Sequence, residues 1–522
     1  MFGILLASIV LSAIFTRALL VPLITYWQDP KGLRRFPSVS CAAFTNLWGV
    51  VHQYRSTRTL AIHQAHLKHG RAVRVGPAHV SFSTFDAVKD IYGHGTPAIK
   101  DNFYGAFAST HLNVSDAQEK VVHNVKRKRF ATAFAQKNIV ELETVFSRHL
   151  SQVIHLLDRT SDTNGGGLDG KHGLEEAVEV DMKSVMLGLM YDSISVLLFG
   201  VNPGFLERGS TTTTAETIGG KLYQADIHKS LCGSLRVSTA LGWAPQSIPF
   251  IKSVTRWHDE WQHGNHLRDI TIHRTRKRLQ AESDRTKRGL KPTDDFMSAL
   301  LYDKKSQEPL CLEFGEILTE AQNLFNAAGE NTEIALTNII WLLAKTPHAL
   351  KRLREELQPA FENTGKESAL PSYHDIQHLP YLRACIDEGI RLRPSLPVGL
   401  PRLIPQGGMQ IAGEWFNEGT TVSVSTYTLH RDEKIFGEDA DEYRPERWLD
   451  NNTLQRAFLG FSQGGRACIG RNIAYFEMSI TIATLFWRYD FELPSPDWEL
   501  PTIETLSGHT GPLPVRVTRR AV

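Results

Sequence analysis

One cysteine in a glycine-rich loop constrains this chain more than any other feature. The stretch Phe461-Ser462-Gln463-Gly464-Gly465-Arg466-Ala467-Cys468-Ile469-Gly470 runs straight into the apolar helical pattern that starts at Arg471. Gly464 and Gly465 allow backbone angles that a side chain forbids, and they let the loop approach a flat ligand closely. Arg466, two residues before the cysteine, is placed to meet an anion on that ligand. Cys468 falls near a helix N-terminus, where unpaired N–H groups and the dipole favour a thiolate. A thiolate among backbone donors is a soft, anionic metal ligand. A lone cysteine is more often a small buried hydrophobe; the residues around this one set it apart.

The pattern Phe-x-x-Gly-x-Arg-x-Cys-x-Gly resembles the haem-ligand signature of the cytochrome P-450 superfamily, the haem-thiolate monooxygenases. The resemblance implies a mainly α fold with a small β region. Haem b (iron protoporphyrin IX) would lie between a long oxygen-side helix and the cysteine loop. Cys468 would be the metal ligand, with Phe461, Gly464, Arg466 and Gly470 against the cofactor.

Length alone, 522 residues, suggests about three domains. The resemblance implies one haem-thiolate catalytic domain over residues 41–522 instead. With 58 basic and 56 acidic residues the net charge is +2, which gives no case for nucleic-acid binding. Cys41, Cys232, Cys311, Cys385 and Cys468 are odd in number and never form Cys-x-x-Cys. That argues against a disulfide framework or a zinc site and fits a reducing compartment. In a cytosolic domain the sequons Asn113-Val114-Ser115 and Asn451-Asn452-Thr453 go unused.

Residues 1–27 are apolar in two runs interrupted by Arg17, and Lys31, Arg34 and Arg35 follow. Together the runs read as an N-terminal membrane anchor, with the positive charge marking the cytoplasmic side. A cleaved signal peptide is the competing reading, weakened because no basic residue precedes the apolar run. Residues 28–40 read as a basic hinge, in which Arg34-Arg35-Phe36-Pro37 resembles the hinge of microsomal members. His52–His69 reads as helix. Val73, Val75, Val80 and Phe82 alternate around Gly76-Pro77 as a β-hairpin. Tyr92–Asp116 reads as a long loop, which in the family covers the substrate.

His123 and Arg127 stand four apart on one helix face. The family usually has Trp-x-x-x-Arg there, on the haem propionates. Lys126 and Lys128 point away and read as a solvated face. Thr160–Gly173 reads as a flexible insertion, Asp181–Phe199 as a long apolar helix, and Ser210–Thr214 as a low-complexity linker. Gln262–Lys287 is polar and reads as an exposed helix.

Phe314–Lys345 carries the longest helical period. Phe325, Ala328, Gly329 and Thr332 share a face whose middle is small, so something bulky can lie against it. Glycine in mid-helix costs roughly 1 kcal/mol relative to alanine, so a packing or functional reason is expected. Thr332 can bond back to the Ala328 carbonyl and bend the helix. Ala328-Gly329-Glu330-Asn331-Thr332 resembles the family's Ala-Gly-x-Asp/Glu-Thr, where the threonine helps deliver protons to bound oxygen. Asn331 replaces the usual acid, and Glu330 stands one place early. The catalytic candidates are Thr332, Asn331 and Glu330. Ala328 and Gly329 are expected against the cofactor, with Phe325 toward the substrate.

Glu388 and Arg391 resemble the family's Glu-x-x-Arg. With Arg447 of Pro445-Glu446-Arg447-Trp448 they are expected to form a buried structural triad. Arg402 matches the propionate-binding arginine. Val398, Leu400 and Leu506 are substrate candidates. His509, in the same C-terminal turn as Leu506, reads as a possible pocket contact or a surface turn residue. Thr421–Val424 reads as a strand.

The resemblance implies a monooxygenase that inserts one oxygen atom from O2 into a C–H bond of a small, largely apolar molecule. Electrons would come from NADPH through a membrane-bound flavoprotein reductase at the endoplasmic reticulum. Ile91-Tyr92-Gly93-His94 and Arg74-Val75-Gly76-Pro77 resemble the fungal microsomal branch, which includes benzoate para-hydroxylases and many secondary-metabolite enzymes. An aromatic-acid hydroxylase is therefore one alternative. Reductase-independent rearrangement or dehydration is another, and a haem-binding sensor a third.

Overall fold

Alternating apolar residues and helical periods sort the chain into a small β region and a large helical body. The structure, a computed structural model, describes residues 16, 20–107, 111–131, 133–134, 139–164, 179–293, 295–303, 305–362, 370–450 and 453–520. Helix α1 (Val21–Gln28) is followed by α2 (Leu47–Tyr54) and α3 (Arg58–His69). The single helix expected over His52–His69 breaks at Ser56, which takes a φ of 57°. Strands β1 (Ala72–Gly76) and β2 (His79–Phe82) pair antiparallel, as their alternation predicts. The expected long loop contains the end of α4 (Phe85–Tyr92), strand β3 (Ile99–Lys100) and a 3-10 turn at Asn102–Ala106.

The helical body continues with α5 (Lys120–Phe130), α6 (Ile139–Asn164), β4 (Glu179–Asp181) and α7 (Met182–Phe199). Asp181 caps α7 and Gly200, at φ 71°, closes it. Among the described residues α7 is the one helix long and apolar enough to cross a membrane, but 78% of it is buried in the protein. The threonine run expected as a linker instead enters β5 (Thr212–Glu216), which pairs with β6 (Leu222–Asp226). β-Branched threonines favour a pleated strand. Helix α8 (Ile227–Gly242) packs on α9 (Asp259–Lys287). Helix α9 is not the exposed helix that its polarity predicts. It buries Leu267, Ile270 and Ile272, and it hides Arg278 by pairing it with Glu282 at 2.7 Å and Asp295 at 2.8 Å.

Helix α10 (Phe314–Lys345) has the bounds its period predicts. Then come α11 (Pro347–Glu362), α12 (Pro380–Leu392), β7 (Arg402–Leu403), β8 (Met409–Ile411), β9 (Glu414–Phe416) and β10 (Thr421–Val424). After the cysteine loop follow α13 (Arg471–Arg488), β11 (Tyr489–Glu492), β12 (Thr502–Glu504), β13 (Gly508–Thr510) and β14 (Pro514–Arg519). The main sheet has the order β1-β2-β10-β7-β3, and a second has β11-β14-β4. The largest core lies among the helices, around Leu189, Ile339, Ile386 and Phe476. A second core, around Val80, Phe82, Tyr92 and Val422, backs the main sheet.

The basic hinge is part of the folded unit rather than a free link. Leu33 is fully buried, Phe36 stacks on Phe416 at 5.4 Å, and Arg35 donates to the Trp415 carbonyl. Packing therefore begins before residue 41. Of the expected anchor, residues 1–15 and 17–19 lie outside the described residues. So do 165–178, which include most of the expected insertion, and Asn451-Asn452 of the second sequon.

Candidate active site

The cysteine loop folds back on itself before α13 begins. Cys468 N donates to Phe461 O at 2.8 Å and Ala467 N to Gly464 O at 3.1 Å. Gly464 has a φ of 69°, and a Cβ there would lie 2.0 Å from Tyr92 O, so only glycine fits. Gly465, expected to share that role, takes no positive φ and has open space beside it. The Phe461 ring packs on Tyr475 at 4.8 Å. Gly470 sits beside the sulfur, with room for a Cβ 3.9 Å from Cys468 Sγ.

Burial pushes the Cys468 thiol up, while the backbone N–H groups of Gly470 and Arg471 and the charges of Arg471 and Arg127 act against it. The helix-start donors expected to favour a thiolate are thus present but outweighed. A coordinated cation would complete the deprotonation. The sulfur is nevertheless exposed. Strong desolvation at an exposed residue describes a cysteine that is surrounded by protein without being covered by it.

Cations that have no carboxylate partner among the described residues gather near this loop. Arg127 donates to Ala467 O at 2.8 Å. Arg466 donates to Ala117 O and Gln118 O at 2.7 and 2.6 Å, so the loop and the α5 segment clasp each other. Arg402 donates to the Tyr104 hydroxyl at 2.9 Å. Burial and the neighbouring Arg402 push Arg466 down to about 10. His123 is buried and, through burial and the charges of Arg466, Lys100 and Arg127, falls to about 4 and is neutral.

Lys100 belongs to this cluster but carried no signal in the sequence. It is buried and sits directly across from Arg402 in the β3–β7 pair. Like charges opposite each other destabilise a sheet. Burial, Arg402 and Arg466 all push its ammonium well below the usual range, opposed by Asp116. A bound anion would relieve that repulsion. An open thiol sulfur near buried cations therefore fits haem b, which offers an iron to the sulfur and propionates to the cations.

Helix α10 divides its candidates between opposite sides. Ala327 is exposed, and Ala328 and Asn331 are partly so, forming an accessible strip in mid-helix. The back-bond expected from Thr332 is made by Asn331, whose Nδ2 donates to Ala327 O at 3.1 Å. Asn331 Oδ1 has no partner. Thr332 is buried and its side chain faces the carboxyl of Glu477 on α13. Burial pushes Glu477 up to about 8, opposed by the Thr332 side chain. Glu477 was missed, although a lone acid within Tyr475-Phe476-Glu477-Met478 is a signal.

Gly329 and Phe325 do not face the cofactor or substrate as expected. A Cβ on Gly329 would lie 2.6 Å from the Tyr191 ring, so the bulky neighbour it accommodates is a protein side chain. Phe325 is fully buried between Tyr191 at 5.1 Å and Phe199 at 5.6 Å. Glu330 turns to β13, where its Oε1 lies 2.9 Å from His509 Nε2. His509 is buried, not on a surface turn. Nor is Lys126 a solvated residue: it pairs with Glu320 at 3.0 Å and Glu316 at 3.1 Å, fastening α5 to α10.

The structure brings Glu388, Arg391 and Arg447 together. Arg391 Nε reaches Glu388 Oε2 at 2.8 Å and Arg447 Nε reaches Oε1 at 2.9 Å. Trp448 Nε1 and Arg444 N also donate to the carboxylate, both at 2.9 Å. His430 carries this network toward the loop. Its Nδ1 donates to Arg391 O at 3.0 Å and its Nε2 accepts from Leu459 N at 2.9 Å. Among the substrate candidates, Leu506 packs with Phe103, Phe107 and Trp243. Val398 is buried, and Leu400 O accepts from the Tyr92 hydroxyl at 2.7 Å.

The family profile described as Cytochrome P450 matches residues 41–518. Benzoate 4-monooxygenase bphA of Aspergillus niger is 30% identical over 469 residues, covering 88% of each chain. Cytochrome P450 monooxygenase BOT4 of Botryotinia fuckeliana is 29% identical, over 94% of this chain and 86% of its own. Pisatin demethylase of Fusarium vanettenii is 29% identical, over 90% and 85%. A match over nearly the whole described body, on a helical fold that presents the Cys468 loop, settles the family: the chain belongs to the cytochrome P450 family of haem-thiolate monooxygenases and is an oxidoreductase.

Proposed function

We propose that the chain inserts one oxygen atom from O2 into a C–H bond of a small, largely apolar molecule, with Cys468 as the thiolate ligand of haem. The observation that carries this reading is an uncovered Cys468 in a loop ringed by Arg127, Arg402, Arg466 and Lys100. When bound, haem with a thiolate ligand supplies the oxygen-activating chemistry. Arg127, Arg402, Arg466 and Lys100 bind its propionates, and neutral His123 offers a hydrogen bond. Phe461, Gly464 and Gly470 shape the loop against it, and Ala328 leaves room on the opposite side. Glu388, Arg391 and Arg447 hold the loop in place through His430.

Glu477 stays protonated up to about pH 8 and holds a proton at the Thr332 hydroxyl. Asn331, with its free Oδ1, positions a water beside it. The apolar group around Leu506, Phe107 and Trp243, with Val398 and Leu400 nearer the sheet, orients the substrate. The similarity to proteins named benzoate 4-monooxygenase and pisatin demethylase supports a small-molecule substrate.

In this reading electrons come from NADPH through a membrane-bound flavoprotein reductase. Residues 1–27 anchor the protein in the endoplasmic reticulum membrane, with the catalytic domain in the cytosol. Exposed apolar side chains at Val21, Ile24 and Trp27, and again at Phe250, Val254 and Trp257, support membrane association.

The test is the absorption spectrum of the reduced carbon-monoxide complex. The red-shifted band of a thiolate-ligated haem is expected in the wild type and absent in Cys468→His. A wild-type spectrum of a histidine-ligated haem would overturn the assignment.

A further inference from the structure

A second cysteine stands in a more reactive setting than the rest. Cys232 lies on α8, and its Sγ is 3.6 Å from His509 Nδ1. The opposite nitrogen of that ring, Nε2, is 2.9 Å from Glu330 Oε1 and 2.9 Å from Thr505 Oγ1. Sulfur, imidazole and carboxylate therefore stand in line, from α8 through β13 to α10. A second imidazole flanks the sulfur: His228, one helical turn earlier, has Nδ1 at 3.8 Å and Nε2 at 3.7 Å.

The ring protons follow from the outer partners. Lys183 Nζ donates to His228 Nε2 at 2.9 Å, so that nitrogen accepts and the ring proton sits on Nδ1, while the sulfur is equidistant from both nitrogens and takes neither N–H head-on. Burial lowers His509, but the Glu330 carboxylate and the bond to Cys232 outweigh it and keep the ring protonated. Its Nε2–H then bonds the Thr505 hydroxyl beside the Glu330 carboxylate, and its Nδ1–H faces the sulfur. A thiol facing one imidazole nitrogen, in a ring paired with a carboxylate, is the arrangement of an activated nucleophile. Tyr191 adds a fully buried hydroxyl with no partner, within electrostatic reach of both Glu330 and Cys232.

The other cysteines lack this setting. Cys385 is buried and its thiol is pushed well up. Cys41 and Cys311 are exposed, and among the described residues neither has an imidazole in hydrogen-bond range. Cys232 is neither buried nor fully exposed.

We propose that Cys232 is a nucleophilic thiol site for soft carbon electrophiles of the α,β-unsaturated carbonyl class, with His509 as its acid–base partner and Glu330 orienting the ring. A sulfur lone pair forms the S–C bond at the β-carbon, and the C=C π pair moves to the α-carbon. The proton lost by the thiol reaches that carbon through His509. The adduct contains every atom of both reactants and needs no oxidant or second substrate.

The test is time-resolved labelling of the haem-loaded enzyme with N-ethylmaleimide at pH 6, read cysteine by cysteine by peptide mass spectrometry. Cys41 and Cys311 are internal references. Cys232 is expected to react about tenfold faster than either or more, because an ordinary thiol is almost entirely protonated there. His509→Asn should bring its rate to that of the references, and Glu330→Gln should slow it several-fold. If His509→Asn fails to load haem, Glu330→Gln alone carries the comparison. A wild-type Cys232 no faster than the references would overturn the proposal, as would an unchanged rate in the haem-loaded variants.

Discussion

The side chains of Thr332 and Glu477 face each other, between the long oxygen-side helix and the helix that leaves Cys468. The acid missing at Asn331 thus has a counterpart from another element, while Glu330 is turned away to His509. Thr332→Ala should bind haem and substrate normally but uncouple, with more peroxide and less product per NADPH. Glu477→Gln should uncouple in the same direction, because an amide does not release the proton. Glu330→Gln should stay more coupled than either, and Asn331→Asp should be tolerated. Product and peroxide per NADPH decide it; a coupled Thr332→Ala beside an uncoupled Glu330→Gln would move the proton route to Glu330.

Glu477 also predicts a pH dependence of stability. Burial raises its carboxyl from 4.5 to about 8 in the folded protein. Between those values the folded state holds a proton that the unfolded state has released. Its contribution to stability therefore falls with rising pH, by about 1.4 kcal/mol per unit at most, and levels off above pH 8. Glu477→Gln removes this slope. Denaturation of the two proteins at pH 5 and pH 8 should show the variant gaining on the wild type as pH rises; a constant difference would contradict the assignment.

The two loop glycines should respond oppositely to a methyl group. Gly464→Ala meets both a positive φ and the Tyr92 carbonyl, and should lose most haem incorporation. Gly465→Ala meets nothing within 4 Å and should load haem like the wild type. Haem per protein after purification measures both.

Removing one member of the Glu388–Arg391–Arg447 network strands a buried charge, at about 3–5 kcal/mol, a large share of a typical stability margin. Glu388→Ala should yield little haem-loaded protein, and heating what remains should reveal a lower melting temperature. A well-folded, fully loaded variant would argue against the network's structural role.

Lys100→Met should separate apo stability from haem affinity. Without the ammonium opposite Arg402 the apoprotein should melt higher, while haem binds about tenfold more weakly, about 1.4 kcal/mol. Apo melting curves and haem titration read the two effects independently. A change of both in the same direction would remove Lys100 from the propionate site.

Local chemistry was legible before the fold was. The loop around Cys468 and the bounds of the oxygen-side helix follow from spacing and period alone. The Glu388 triad was legible because two short motifs, Glu388-x-x-Arg391 and Pro445-Glu446-Arg447-Trp448, stood in the family's order. What escaped depended on partners far away in sequence. Lys100 gains its meaning from Arg402 across a two-residue strand pair, and His430 from Leu459. Gly329 was rightly read as making room, but the occupant is Tyr191 on another helix. A polar helix such as 259–287 hides its burial because paired charges look the same as solvated ones in a sequence.

Tyr92 shows what such distant partners impose. Its backbone carbonyl presses on Gly464, and its hydroxyl donates to Leu400 O and accepts from Val424 N at 3.0 Å. One side chain therefore spans from the cysteine loop to the strand that begins at Arg402. The separation of those two walls is gauged by covalent bonds in a rigid ring rather than by yielding contacts. Evolution or an engineer can remodel the roof above the site freely, but a bed of different width requires a residue of different length at position 92.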